Sequence, residues 1–257
     1  MLMCASALIS RCSHTLRGKA NVVPISPSPL LNRILAALPL CDQDALFPSL
    51  ECVTLPAGWV VCESGSDFDG LYFPTTGIVS LLHVMENGSA AETAVIGNDG
   101  MVGISLFMGG ESTTSRAVVQ HAGHAYRLKA RALRAEFALG GRLQYLALRY
   151  AQSLLTQMSQ TTVCNRHHRL DQQLCRWLLL RLDLLADEAV LMTQEQIANT
   201  LGVRREAVTE AAGRLQHEGL ISYSRGRISL LDRAGLERRV CECYGVVKQE
   251  CQRLLPA

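Results

Sequence analysis

The sequence has no apolar run approaching the roughly 20 residues needed to span a bilayer, so a membrane partner is not expected. Charge of one sign is also lacking: 25 Lys and Arg stand against 23 Asp and Glu, a formal net charge of +2. A nucleic-acid partner would therefore have to be met by local patches and not by a global field. Ten cysteines are present, but no C-x-x-C pair occurs, and the closest, Cys241 and Cys243, have one residue between them. That spacing supports neither a zinc nor a redox motif, so each cysteine reads as a small hydrophobe. Without a secretory signal the thiols read as reduced and the protein as cytoplasmic. No Walker loop, G-x-S-x-G elbow or H-E-x-x-H sequence is found, which leaves phosphate-loop, hydrolase and zincin chemistry without a motif and argues against an enzyme. His121 and His124 stand near a β turn and His167 and His168 are adjacent, yet no neighbouring cysteine or carboxylate completes a four-ligand set, so no metal and no cofactor is expected.

What is present is concentrated in residues 193–219, TQEQIANTLGVRREAVTEAAGRLQHEG. Ile197, Ala198 and Leu201 recur at helical spacing, and Thr193 with Gln196 three residues later makes a capping box. Gly202 permits a sharp corner, Val203 can tuck between the helices, and small Ala198 allows them to cross closely. In the second helix Val208, Ala211, Ala212 and Leu215 form the inward stripe, while Arg204, Arg205, Glu206, Thr209 and Glu210 are left to solvent. An ordinary helical hairpin in a core would show the same apolar spacing. The following run, residues 220–231, argues otherwise, because it alternates apolar and polar residues around Arg225-Gly226 as a β-hairpin does. A helix-turn-helix followed by a hairpin is a winged helix. Five arginines and three glutamates lie between Arg204 and Arg227, with the excess positive charge on the outward helix face and the hairpin tip, where phosphates would lie.

At 257 residues the chain can hold two modest domains, each with its own core. Residues 1–29 contain no acidic residue and end in SPSP, and they read as a flexible N-terminal extension. Residues 30–141 form the first domain. Short helices lead into strand-like runs (CVTLP, WVVCE, GLYFP, GIVSLLHVM, AETAVIG, RAVVQ, HAYRL), punctuated by glycine at the spacing of a sandwich or jelly roll. Asn87-Gly88 predicts a type I′ hairpin turn. A long helix over residues 142–165 carries Leu143, Ala147, Tyr150, Leu154, Met158 and Thr161 in one stripe, broadened by Leu146, Ala151 and Leu155. Part of that stripe must meet the β domain, and the rest suits a homodimer, since a two-fold protein matches a two-fold DNA site. The remainder, residues 166–257, holds a possible hinge at residues 165–168, a helix over residues 170–185, the helix-turn-helix, its wing, and a final helix over residues 233–255 capped by Asp232.

A β sandwich, a long helix and a winged helix in this order resemble the CRP/FNR family of bacterial transcription regulators. The resemblance spans about residues 30–232 and is most specific at QEQIANTLGVRREAVTEAAGRLQHEGLI. It implies an α+β architecture: an N-terminal cyclic-nucleotide-binding-like jelly roll, a dimerisation helix and a C-terminal winged helix-turn-helix. It also implies a palindromic double-stranded DNA operator, a homodimer and RNA polymerase as partners. The family's x-x-Arg-Glu after the turn glycine falls here on Arg205 and Glu206, which by resemblance read base edges. Arginine can donate twice to guanine O6 and N7, and glutamate can accept from cytosine N4. Glu210 stands where cyclic-AMP-responsive members carry a further arginine. Arg204, Arg225 and Arg227 suit phosphate contact, with a solvated salt-bridge face as the alternative.

The effector site departs from that pattern. Family members that bind cyclic AMP have G-E-[LI]-[AS]-L, where this chain has Gly103, Ile104 and Ser105 within VGISL and no glutamate. Their R-[ST]-A is matched here by Ser115-Arg116-Ala117, with the arginine one residue late, and Met158 replaces the adenine-contacting threonine beside Ser159. Without the carboxylate, and with the cation shifted, two polar anchors for a cyclic nucleotide are missing. The expectation is a sequence-specific, homodimeric DNA-binding regulator whose effector is unidentified and is not cyclic AMP. The alternative from another class is an effector-binding module that acts through protein contacts and retains a helix-turn-helix remnant.

Overall fold

Each β-rich run is closed by a turn and carries one apolar face, which obliges it to pair and then to stack. In the computed structural model, which describes residues 27–185 and 189–255, these runs become strands. They are β1 (Leu50–Leu55), β2 (Val60–Cys62), β3 (Gly70–Pro74), β4 (Ile78–Val84), β5 (Ala90–Ile96), β6 (Arg116–His121) and β7 (Gly123–Lys129). Most of the predicted extension, residues 1–26, lies outside the described residues. Two antiparallel sheets form, in the orders β1-β7-β3 and β2-β6-β4-β5. Leu71, Phe73, Val79, Leu81, Ile96 and Val119 belong to the buried core of this sandwich. Helices α1 (Arg33–Ala36) and α2 (Leu40–Leu46) precede it, α3 (Ser105–Met108) interrupts it, and α4 (Ala130–Leu139) follows.

The β4–β5 connection corrects the turn expected at Asn87-Gly88. Pairing ends at Val84 and Ala90, leaving a five-residue loop. Gly88 has φ +82°, but Asn87 is not in the left-handed region that a type I′ turn requires of both residues. Asn87 Oδ1 instead accepts from the Ser89 backbone N–H at 3.0 Å, the local side-chain bond that lets asparagine stabilise a turn without positive φ.

Helix α5 (Arg142–His167) continues past residue 165, and the chain leaves helical geometry only at His168. Asn165, Arg166 and His167 are thus helical, and the connection to α6 (Leu170–Leu182) is shorter than the expected hinge. Gln173 Nε2 closes the helix end by donating to the His168 carbonyl at 2.9 Å. The last segment is also revised: α9 (Arg233–Arg239) and α10 (Glu242–Leu254) replace the single terminal helix. Asp232 does cap α9, accepting from Gly235 N–H at 2.9 Å. Extended backbone at Val240 and Cys241 separates the two helices. The break lets Leu236 join the helix-turn-helix core while α10 returns along α5 and sends Leu255 into the sandwich core. Consequently most of the predicted α5 stripe is covered by its own chain. Leu143, Leu146, Ala147, Tyr150, Ala151, Leu154 and Thr161 are buried, Met158 is half-buried, and only Leu155 is exposed.

A second core gathers α6, α7 (Gln194–Leu201), α8 (Arg205–His217), β9 (Ile221–Ser224) and β10 (Arg227–Leu230). A strand missed in the sequence, β8 (Ala189–Leu191), pairs with β10 and makes the wing three-stranded, in the order β8-β10-β9. The two cores are joined by a buried ion pair: Arg181 of α6 donates to Glu92 of β5, which also accepts from the Ser80 hydroxyl. Arg181 is 2% exposed, and its guanidinium lies 3.7 Å from the Trp177 ring centroid. Burial pulls its pKa below the ordinary value, and Glu92 opposes that shift. Removing one member of such a pair strands the other charge in a dry site. Arg181→Ala should therefore cost about 3–5 kcal/mol in a urea melt, and Arg181→Met combined with Glu92→Leu should recover most of it. A loss below about 1 kcal/mol for the single variant would mean that solvent reaches the pair.

Candidate nucleic-acid interface

The helix-turn-helix is built as its local chemistry requires. Thr193 Oγ1 accepts from Gln196 N–H at 3.2 Å, and Gln196 Oε1 accepts from Thr193 N–H at 2.9 Å, so the capping box is complete in both directions. Gly202 takes φ +68° at the end of α7, a conformation that costs other residues a Cβ clash. The Val203 N–H then donates to the Ala198 carbonyl at 3.0 Å, closing the corner. Ala198 is 2% exposed, and Ile197, Val208, Ala211 and Leu215 are fully buried around the crossing. The inward stripe is spent on this core, and what remains of α8 faces water.

All seven residues assigned to DNA contact, Arg204, Arg205, Glu206, Thr209, Glu210, Arg225 and Arg227, are exposed. Arg204 is the N-cap and Arg205 the first residue of α8, which places both at the positive end of the helix dipole. Arg225 (φ +49°) and Gly226 (φ +76°) form the two-residue turn between paired Ser224 and Arg227. Both being in the left-handed region makes this a type I′ turn, the tip of the wing. Thr209 Oγ1 donates to Gln194 Oε1 at 2.8 Å, tying the exposed face of α8 to the start of α7. Among the described residues, Arg204, Arg205, Arg225 and Arg227 have no carboxylate within salt-bridge distance. Among the described residues this surface thus presents four cations without a carboxylate partner.

These elements enclose a cleft of about 270 Å³ lined by Thr193, Gln194, Glu195, Arg205, Tyr223 and the wing tip. The cleft thus adjoins the N-terminal turn of α7, the positive end of its dipole. Burial raises the Tyr223 phenol pKa, and the neighbouring Arg205 charge opposes it. The phenol stays protonated and donates to the Met192 carbonyl at 2.9 Å, fixing the wall of the cleft.

Of the residues expected around an effector, five lie in the sandwich and two on α5. Arg116 is paired with Glu63 at 2.9 Å, and Ser105 donates to the Glu111 carbonyl at 3.1 Å. Ala117 is fully buried in β6, Met158 packs against the sandwich core and Ser159 is exposed. Gly103 and Ile104 lead into α3 and contribute carbonyls to its first turn. Among the described residues no side-chain hydrogen bond joins any of these seven to another. A cavity of about 310 Å³ lies elsewhere, at the junction of the sandwich, α5 and α10, lined by Arg33, Asp99, Tyr150, Gln157, Asp183 and Lys248. Burial pushes the Asp99 carboxyl above its ordinary range, with Arg33 opposing. No sequence signal marked this cavity, since its walls come from five separate segments.

Residues 52–138 match the cyclic nucleotide-binding domain model and residues 172–239 the Crp-like helix-turn-helix domain model. The comparison with curated proteins gives no match. Among solved structures, the fold is similar to a CRP/FNR-family transcriptional regulator from Thermus thermophilus (25% identity, 74% of this chain and 97% of that one, TM-score 0.58). FixK2 from Bradyrhizobium japonicum is similar at 15% identity, over 75% of this chain and 98% of that one, with TM-score 0.63. So is the c-di-GMP responsive regulator CLP from Xanthomonas campestris, at 14% identity over 74% and 97% with TM-score 0.59. Among the described residues no helix is long and apolar enough to cross a membrane. The chain thus joins a cyclic nucleotide-binding domain, a long helix and a Crp-like helix-turn-helix domain, the arrangement of the CRP/FNR-family transcriptional regulators that it resembles.

Proposed function

We propose that the chain is a cytoplasmic, homodimeric regulator that binds a palindromic duplex through α8 and the β9–β10 wing, with RNA polymerase as a further partner. The observation that carries this reading is the set of four exposed arginines at the start of α8 and on the wing that have no carboxylate partner among the described residues. Arg205 and Glu206 are the base-reading pair. Arg204, Arg225 and Arg227 hold phosphates, and Thr209 and Glu210 face the groove one turn further along.

Dimerisation uses the face of α5 that the chain leaves uncovered. Leu148, Leu155 and Val163 recur two turns apart on it, are each about half exposed, and stand with Tyr145 on the side away from the sandwich. Steps of seven and eight residues keep them in one stripe, and pairing two such helices sets the separation of the two α8 helices. The sandwich senses an effector other than cyclic AMP. That follows from the missing glutamate after Gly103 and from Arg116, whose charge is engaged by Glu63.

Arg205→Ala should lower affinity for a selected cognate duplex by about 1–3 kcal/mol and flatten the preference at one base pair, as read by gel shift against single-base variants. Unchanged preference would remove Arg205 from base reading. Leu155→Glu should shift sedimentation from dimer to monomer while the thermal midpoint of the sandwich holds; a variant that still sediments as a dimer would place the interface elsewhere. Calorimetric titration with cyclic AMP should give no saturable heat, and micromolar binding would overturn the effector assignment.

A further inference from the structure

Four side chains distant in sequence converge where α5 ends and α10 begins. Cys164 sits in the last turn of α5, His168 caps that helix, Cys241 caps α10 and Cys243 follows in its first turn. Their ligand atoms, three Sγ and one imidazole nitrogen, all lie within 4.8 Å of one another. The Cys164 and Cys241 sulfurs are 3.5 Å apart, and Cys243 Sγ is 3.6 Å from His168 Nδ1. The sequence offered no such set, because C-x-C and C-x-x-x-H are separated by more than 70 residues.

We propose that these four residues form a closed Cys₃His site for one zinc-class divalent ion. The edges of a tetrahedron with Zn–S of about 2.3 Å and Zn–N of about 2.0 Å are about 3.8 Å between sulfurs and about 3.6 Å from sulfur to nitrogen. The Cys164–Cys241 and Cys243–His168 separations match that cage to within a few tenths of an ångström, and the remaining ones do not exceed 4.8 Å. A polynuclear iron–sulfur cluster, whose thiolates bind different irons, needs its ligands further apart. All three cysteines are buried, so no open coordination position faces solvent, as in structural and not catalytic sites.

The surroundings fit the same chemistry. With Nδ1 turned to the sulfurs, His168 Nε2 stands 3.3 Å from Glu242 Oε1, the carboxylate–histidine arrangement that fixes the tautomer of a metal-bound imidazole. Cys241 and Cys243 open the 13-residue helix α10, whose N-terminal dipole favours thiolates. Arg176 is 4% exposed and its Nε has no hydrogen-bond partner. The Cys241 contact and burial push the Cys164 thiol up and burial pushes the Cys243 thiol up, and the nearby Arg176 charge opposes both shifts. Three thiolates around a divalent ion carry one net negative charge, and this buried guanidinium offsets it. Three thiol protons leave as the ion enters. The site staples the last turn of α5 to α10, beside the connection into the DNA-reading core, so the ion acts on the stability and angle of that connection.

The test uses the full chain purified without chelator. Elemental analysis should find one zinc per chain, and after exchange for Co²⁺ the protein should show the visible absorption of tetrahedral cobalt with a thiolate charge-transfer band. Cys241→Ser and Cys243→Ser should each abolish stoichiometric zinc and the cobalt spectrum. Cys52→Ser, at an exposed cysteine of β1 outside the cluster, should leave both unchanged. His168→Cys, which supplies a fourth thiolate, should retain one ion with a stronger charge-transfer band, and it keeps the test decisive if a serine variant fails to fold. Chelation should lower the thermal midpoint of the wild type and leave that of Cys243→Ser unmoved. No stoichiometric metal after zinc reconstitution, zinc retained by Cys241→Ser and Cys243→Ser, zinc lost in His168→Cys, or iron with inorganic sulfide in place of zinc would each overturn the proposal.

Discussion

The buried contact between Arg181 and Glu92 sets how the reading head sits on the sandwich. A guanidinium that is 2% exposed has few acceptable neighbours. It takes its carboxylate from β5, its aromatic face from Trp177, and its nearest hydroxyl from Ser80 of β4. Such a pair tolerates neither translation nor rotation of α6 without exposing a charge to a dry cavity. Since α6 packs directly against α8, the pose of α6 on the sheet is also the pose of the recognition helix. A signal felt in β4 and β5 thus has a short mechanical route to α8.

Helix α10 braces the same arrangement from the other side. Its Tyr244 belongs to the helix-turn-helix core and its following Leu255 to the sandwich core, while the helix itself lies along α5. That placement divides the surface of α5 between two uses. One face is covered by the chain's own sandwich and α10, and the other keeps Leu148, Leu155 and Val163 in water. Tyr150 illustrates how completely the covered face is buried: its phenol pKa is pushed well above the ordinary value by desolvation. A helix amphipathic on one side only would have no stripe left for a partner.

The parts of the fold legible in the sequence are those whose signal is local. Period-two runs with bounding glycines located the strands, and the capping box at Thr193 and Gln196, the Gly202 corner and the Arg225-Gly226 turn located the winged helix to within a residue or two. The features that escaped are non-local. β8 is three residues long and exists because β10 pairs with it 38 positions later. Asn87-Gly88 has the composition of a type I′ turn, but the five-residue spacing between paired strands selects another geometry. Nothing near Glu92 indicates that its partner is Arg181, and nothing near His168 points to Cys241 and Cys243. The apolar stripe on α5 was visible, but which half of it faces the chain's own core depends on α10 folding back.

In the proposed dimer, two copies of α8 enter successive major grooves on one face of a duplex. Hydroxyl-radical footprinting on a selected operator tests it most directly, because it reads the number, spacing and symmetry of contacts together. The account predicts two protected patches, related by a two-fold axis and separated by about one helical turn, roughly 34 Å, with flanking protection where Arg225 and Arg227 of each wing meet phosphates. A single patch, or uniform weak protection without symmetry, would contradict it.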